Sequence, residues 1–319
     1  MFEVRPYTSD KAAEWNAFVH DSRQGTFLLD RNYMDYHSDR FADCSLMVYY
    51  KERLFALLPA NRVGKTLYSH QGLTYGGLIT GEKATADSVC GAFMALNDYL
   101  KGIGISSVVY KAIPWIYHRI PAEEDLYALT HVARARLVVR EISSTISLDN
   151  RLRFTELRRR GIKKALKAGV TVSESDDIAD FWTILDNNLE GKYHVRPVHS
   201  LSELMLLKSR FPQRIRLFMA SDISGQPIGG TLLYETQCVV HSQYISASPE
   251  GKACGALDML FDHIINNVYG DRQRYSHIRY FDFGKSTEDH GDYLNKNLIF
   301  QKEGFGGRGV CYDTYQYNL

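Results

Sequence analysis

The order of elements along this 319-residue chain runs through twice, and that repetition limits the architectures open to it. In the first pass "DKAAEWNAFVHDS" has the spacing of a short amphipathic helix, with Ala13, Trp15 and Phe18 inward. "SLMVYYKERLFALLPANRVGKTLYSH" then reads as strand, turn, strand, turn, strand. After the glycine-rich loop "QGLTYGG", the stretch "TADSVCGAFMALNDYLKGIG" is a capped helix that stops at Gly102 and Gly104. "ISSVVYKAI" and "RLVVREISSTISL" are strands. The second pass opens on the helix "RFTELRRRGIKKALKAG", with Phe154, Leu157, Ile162 and Ala165 on one face. Two more helices, the strands "IRLFMAS", "PIGGTLLYE" and "CVVHSQYISAS", the helix "GALDMLFDHIINNVYG", the strand "IRYFDFG", a short helix "GDYLNKNL" and a strand tail complete it. The pattern predicts an α/β (α+β) chain of two similarly built halves, residues 1–148 and 149–319. Each holds a mostly antiparallel sheet flanked by helices.

Composition narrows the function. Apolar residues are 45% of the chain, enough for a sizeable core, and the net charge of +1 argues against non-specific polyanion binding or a DNA-binding role. The five cysteines show no CxxC or Cys/His spacing, which predicts free thiols in a reducing compartment and no metal site. "MFEVRPYTSD" lacks the apolar core of a secretory signal, and no apolar run approaches the ~20 residues that span a bilayer. The expectation is a cytoplasmic protein with no transmembrane segment.

Local stretches carry the chemistry. From Arg151 to Lys167 eight cations face one acid, Glu156, and Arg160, Lys163, Lys164 and Lys167 share a helix face. Such a stripe suits a phosphate chain. The tail "FQKEGFGGRGV" places Lys302 among glycines that interrupt a strand pattern, and predicts a bulge toward a ligand. The segment "SPEGKACGALDMLF" follows a strand and opens a helix, the order of an anion-binding loop.

That strand–loop–helix order resembles the acyl-CoA N-acyltransferase (GNAT) superfamily. The resemblance implies that Gly251, Lys252, Gly255 and Ala256 hold the donor, although Glu250 stands where a cation or amide is usual and Ala253 replaces the middle glycine. It also implies that Tyr293 protonates a departing thiolate and that Phe300 begins the last strand pair. Over most of the chain the sequence is similar to the Fem-type, FemAB-like tandem-GNAT aminoacyltransferases. "ELRRRGIKKALKAGVTV" resembles the family's basic helix and brings in Arg160 and Lys164 as phosphate contacts. "GKYHVRPVHSLSEL" aligns Arg196 with an arginine that grips an acceptor diphosphate, amid Tyr193 and His199. "FLLDRNYMDYHSDRF" puts His37 where the family has an acceptor-binding lysine. "QKEGFG" matches a motif whose lysine lies near the reaction centre, so Lys302, Gly304 and Phe305 are expected at the site.

The implied reaction is transfer of an acyl or aminoacyl group to the amine of an envelope or glycan precursor, peptidoglycan included. Acyl-CoA or aminoacyl-tRNA is the donor, so tRNA is a possible partner. The acceptor is a small or nucleotide-linked molecule. Such chemistry needs an uncharged amine and a cation or amide facing the oxyanion, the part expected of Lys302. Candidates for the base are His241 of "VVHSQY", beside Tyr244, and Asp282 or Glu288 of "FDFGKSTED". No hydrolase-type serine motif occurs, so direct attack without an acyl-enzyme is expected. The alternative is a non-catalytic binding protein that kept the tandem fold and lost its donor loop.

Overall fold

Helix α3 (Ala86–Gly102) shows why the first half folds as it does. Val89, Ala92, Phe93, Leu96 and Leu100 recur at helical spacing and are all buried, and Thr85 with Ser88 closes a capping box at its start. In the computed structural model, which describes residues 1–193 and 197–319 and side chains outside 189–196, the chain divides into two units. The first comprises Met1–Ile142, Asp289–Asp292 and Cys311–Leu319; the second comprises Ser143–Glu288 and Tyr293–Val310. The chain therefore passes from one unit to the other at Ile142/Ser143 rather than near 148, and its last nine residues return to the first unit.

In the first unit β1 (Phe2–Pro6), β2 (Leu46–Tyr50), β3 (Arg53–Leu58) and β6 (Ile79–Thr80) form an antiparallel sheet in that order. The hairpin of β4 (Asn61–Val63) and β5 (Thr66–Tyr68) runs parallel to β7 (Ser107–Lys111), and the end of β16 (Arg308–Asn318) adds to β7 antiparallel. Helix α1 (Ala12–Asp21) buries Trp15 and Val19, whereas Ala13, expected inward, is exposed. Helix α2 (Arg31–Met34) and helix α4 (Glu124–His131) complete the unit.

His37 follows α2 and is not a surface substitute for a lysine. It is 2% exposed, stacked 4.2 Å from Tyr36 and 5.1 Å from His70. The stack forms because Gly72 leaves no side chain in the way; a Cβ there would lie 2.5 Å from His37 Nε2.

In the second unit the end of β8 (Arg136–Ser147) leads into a sheet of order β8-β13-β12-β11-β10-β9. The strands are β9 (Thr171–Ser175), β10 (Ile215–Ser221), β11 (Pro227–Glu235), β12 (Val239–Ala247) and β13 (Tyr280–Lys285). All pairs are antiparallel except β12 with β13, which are parallel. Helices α5 (Glu156–Lys167), α6 (Ile178–Tyr193) and α7 (Leu201–Arg210) precede β10. Helices α8 (Pro249–Cys254) and α9 (Ala256–Asp262) follow β12, with a π-helical continuation to Val268. The short pair β14 (Thr287–Glu288) and β15 (Tyr293–Leu294) leads into α10 (Lys296–Gly304).

Two features differ from the sequence expectation. The tail around Lys302 is helical: Asn295 caps α10 by accepting from Leu298 N–H, and Gly306, at φ 90°, ends it. Phe300 accordingly sits on that helix, 63% exposed, and begins no strand. Helix α5 is also rotated from the face expected. Leu157 points outward, and Arg158 turns in to Asp258 on α9 at 2.6 Å. Gly161 allows this, since the Asp258 carboxylate occupies the place of its Cβ.

Burial, then the neighbouring His37, pushes His70 down to about 3 from the ordinary 6.5. The folded value lies below the unfolded one, so the stability contributed by neutral His70 is full above pH 6.5 and declines as pH falls from 6.5 toward 3. His70→Asn, which tolerates the residue's left-handed backbone (φ 61°), is expected to flatten the acid limb of a stability–pH curve. Its slope below 6.5 should fall by up to about 1.4 kcal/mol per pH unit in urea unfolding.

Candidate active site in the second unit

The site grows from a fork in the sheet. β12 and β13 pair only from Val239–His241 to Tyr280–Asp282, after which the ladder stops. Just beyond, β12 carries a bulge: Tyr244 faces Leu232 and Ser242 faces Leu233, which leaves Gln243 without a counterpart on β11. Bulges of this kind redirect a strand and aim its groups.

Where the strands part, a cavity of about 230 Å³ opens. Ile245 to Ala247 of β12 and Phe283 of β13 form two sides, Leu257 and Phe261 of α9 a third, and Leu298, Lys302 and Phe305 the fourth. Lys252, bonded to Asn188 Oδ1, and Gln301 add polar groups. A largely apolar slot with few polar groups suits an acyl chain.

At the root of the fork His241 Nδ1 lies 2.8 Å from Asp282 Oδ2. Asp282 has no solvent exposure. Ser143 and Thr145, alternate residues on β8, both donate to its other oxygen, Thr145 at 2.7 Å. Burial alone raises a carboxyl's pKa, but the bonds from His241, Ser143 and Thr145 outweigh it and hold Asp282 below the ordinary carboxylate value. A carboxylate only accepts, so Nδ1 of His241 carries the proton shared with Asp282, which fixes the orientation of the ring. This is the arrangement of an oriented general base.

Lys302 reaches the same fork from α10. Its Nζ donates at 2.8 Å to Gly284 O and at 2.8 Å to Lys285 O. Gly284 joins the two groups, because a Cβ there would lie 3.3 Å from His241 Cε1. An ammonium has three donors; the third of Lys302 has no partner among the described residues, and the side chain lines the cavity. Burial pushes Lys302 down to about 8 from 10.5, opposed by the charge of Asp282.

The other expected residues scatter. Phe305 lines the cavity; Gly304 packs on Arg158, with its Cβ position 3.2 Å from that side chain. Tyr244 accepts from His199 N–H at 3.3 Å and meets His199 Nδ1 at 2.7 Å, a pair of which His199 is buried and Tyr244 half-buried. Tyr293 is 54% exposed on β15 opposite Glu288, and Glu288 accepts from Asn295 at 2.8 Å. Neither residue lines the cavity. Arg160 and Lys164 are exposed on α5, Arg160 beside Glu156. Arg196 and the Tyr193 side chain lie outside the described residues.

The donor loop is knit to itself. Gly251 N–H bonds the Ser248 hydroxyl, Lys252 N–H bonds Ser248 O, and Gly255 N–H bonds Gly251 O. Gly251 and Gly255 are demanded by packing: a Cβ would meet Ile228 O at 2.0 Å and Gly161 O at 2.7 Å respectively. Sequence reasoning missed Ser143 and Thr145, whose alternation on a strand was visible but whose partner was not.

Residues 153–293 match the family profile described as acetyltransferase (GNAT) domain. The solved structure of FemX aligns with a TM-score of 0.68 at 12% identity, covering 99% of this chain and 97% of that one. The chain has the FemAB-like tandem-GNAT fold. L-PGS from Bacillus licheniformis aligns at TM-score 0.62 and 13% identity, over 97% of this chain and 91% of that one. A tandem GNAT protein from the clavulanic acid biosynthesis pathway aligns at 0.52 and 10%, over 100% and 98%. No curated protein matches the sequence. The GNAT domain marks this tandem-GNAT chain as an acyltransferase, and the forked strands and their cavity lie within its second unit.

Lys302 provides a test in which activity and stability move apart. Its folded value of about 8 lies below 10.5, so the stability contributed by this group rises with pH across that window. If the ammonium acts on the reaction, turnover falls above pH 8 over the same range. Lys302→Met is expected to remove that limb of the pH–rate profile, and to lower unfolding stability by roughly 1–3 kcal/mol through the stranded carbonyls. An unchanged profile in the variant excludes the catalytic part.

Proposed function

We propose that the protein is an N-acyltransferase that moves an acyl or aminoacyl group from an activated donor to an amine of a cell-envelope or glycan precursor, of which a peptidoglycan precursor is one. The observation that carries this reading is the His241–Asp282 pair, which closes the β12–β13 ladder just before the strands part around an apolar cleft lined by Lys302. The donor's acyl arm occupies the cleft between β12 and β13. The acceptor amine loses its proton to His241 Nε2 as its nitrogen attacks the carbonyl carbon. The C–N bond forms, and negative charge gathers on the former carbonyl oxygen. The third N–H of Lys302 and the backbone at the Gln243 bulge stabilise it, a contribution worth about 3–4 kcal/mol per donor in related chemistry. The intermediate then breaks its C–S or C–O bond, and the leaving group takes a proton. Direct attack in this way requires no acyl-enzyme.

The donor is an acyl thioester or an aminoacyl ester. The Gly251 amide at the start of α8 is engaged by the Ser248 hydroxyl, which favours a donor that is not gripped there by its pyrophosphate, and hence the ester. Arg160 and Lys164 on α5 fit the phosphates of such a donor. A binding protein without catalysis is the competing reading, and Glu250 in the loop is its support.

The test uses the full chain with acetyl-CoA in one arm and charged tRNA in the other, and an amine-bearing nucleotide-linked peptide as acceptor. Transfer in either arm is expected. His241→Gln and Asp282→Asn should each lower it by about 100-fold or more, while both variants still unfold cooperatively in a thermal melt. Transfer at the original rate in His241→Gln, or none by the parent chain in both arms, overturns the proposal.

A further inference from the structure

A second concavity on the second unit is separated from the cavity at the forked strands by Phe305, which lines both. It is about 690 Å³ in volume. Its floor is apolar, built from Ile146, Leu148, Phe154 and Ile162, with Leu152 at the edge. Its rim is mainly basic, with Arg151, Arg153, Arg159 and Arg272 against Asp149 and Asp262.

The charges on this rim are unevenly answered. Arg272 donates to Asp149 at 2.8 Å and Arg159 pairs with Glu156 at 2.7 Å. Arg151 bonds only neutral groups, Ile265 O at 3.0 Å and Asn266 Oδ1 at 2.7 Å. Arg153 is exposed and has no partner among the described residues. The outward face of α5 extends the same surface with Arg160, Lys163, Lys164 and Lys167. Beside these cations are Leu152 at the groove, 48% exposed, and Leu166, 56% exposed, on the flank of α5 that carries Arg159 and Ile162. Large aliphatic side chains left in water beside unanswered cations are costly for a free surface and natural for one that meets both charge and hydrocarbon. Phosphates of a nucleic acid would answer the cations and leave Leu152 and the apolar floor in water.

We infer that the Arg151–Lys167 face docks on an anionic phospholipid surface. The headgroup phosphates meet Arg151 and Arg153, Lys163 and Lys167 of α5 lie along the charged interface, and Leu152 and Leu166 enter the acyl boundary. The groove floored by Leu148 and Phe154 takes the upper part of one acyl chain. Binding of this kind is peripheral and reversible, requires both terms together, and weakens with salt. It stands independently of the acyl-transfer reading.

The experiment is sedimentation of the full chain with vesicles of phosphatidylcholine alone and of phosphatidylcholine with a third phosphatidylglycerol. Binding is expected only to the anionic vesicles, and is reversed by high salt. Arg153→Gln should weaken partitioning about 5-fold and Arg151→Gln with Arg153→Gln about 30-fold. Leu152→Ser should weaken it at unchanged net charge, the readout that a purely ionic attraction does not move. Melting temperatures confirm that each variant is folded. Failure to sediment with anionic vesicles, equal binding to neutral ones, or no effect of Leu152→Ser overturns the inference. So does retention on tRNA, lost in Arg153→Gln, by a chain that leaves the vesicles untouched.

Discussion

A single buried charge organises the second unit. Asp282 has no exposure to water, and an ion there without partners is among the most costly groups a fold can hold. Three donors answer it, Ser143 and Thr145 from β8 and His241 from β12. They come from the strands on either side of β13, so the same bonds that satisfy the charge also hold the register of three strands. Thr145 faces Asp282 across one ladder and His241 faces it across the other. A slip of one residue turns the carboxylate to the opposite face of the sheet and strands it.

The fork follows directly. Parallel pairing reaches His241 and Asp282 and then ends, so the residues that meet the charge also stand where the strands begin to part. Gly284, at φ 77°, turns the backbone just past that point. Its carbonyl and that of Lys285 face α10 and receive the Lys302 ammonium. An imidazole, a carboxylate and an ammonium thus share a few residues of backbone beside an apolar slot whose walls are Phe261, Phe283 and Phe305. Those rings pack within 5.0–5.6 Å of one another. The rigidity of that cluster gives the cleft a fixed shape.

Glycine proved to be the residue most easily misread from sequence. Gly251, Gly255, Gly304 and Gly306 look like places where a ligand comes close to the backbone. In the fold the close neighbour is protein: Ile228 O, Gly161 O, the Arg158 side chain and Leu152 O. Both situations need a missing Cβ, and sequence does not say which neighbour fills the gap. Leu157 and Arg158 teach the same lesson. An apolar residue facing water and an arginine facing the interior invert the hydrophobic pattern of α5. The reason is a partner, Asp258, a hundred residues away.

Local pattern alone was enough for the parts whose physics is local. The helical spacing of Val89, Ala92, Phe93 and Leu96, the succession of antiparallel strands, and the doubled order of elements all depend on neighbours a few residues apart. His241, Asp282 and Lys302 were also singled out from type and motif. What only tertiary structure decided was their relation: that Ser143 and Thr145 hold Asp282, that Lys302 rides on a helix and meets the backbone of β13, and that Tyr293 and Glu288 stand away from the cavity. Each of these is set by the register of strands distant in sequence and by the angle at which helices cross them. Those quantities depend on packing across the whole unit, and no window of neighbouring residues contains them.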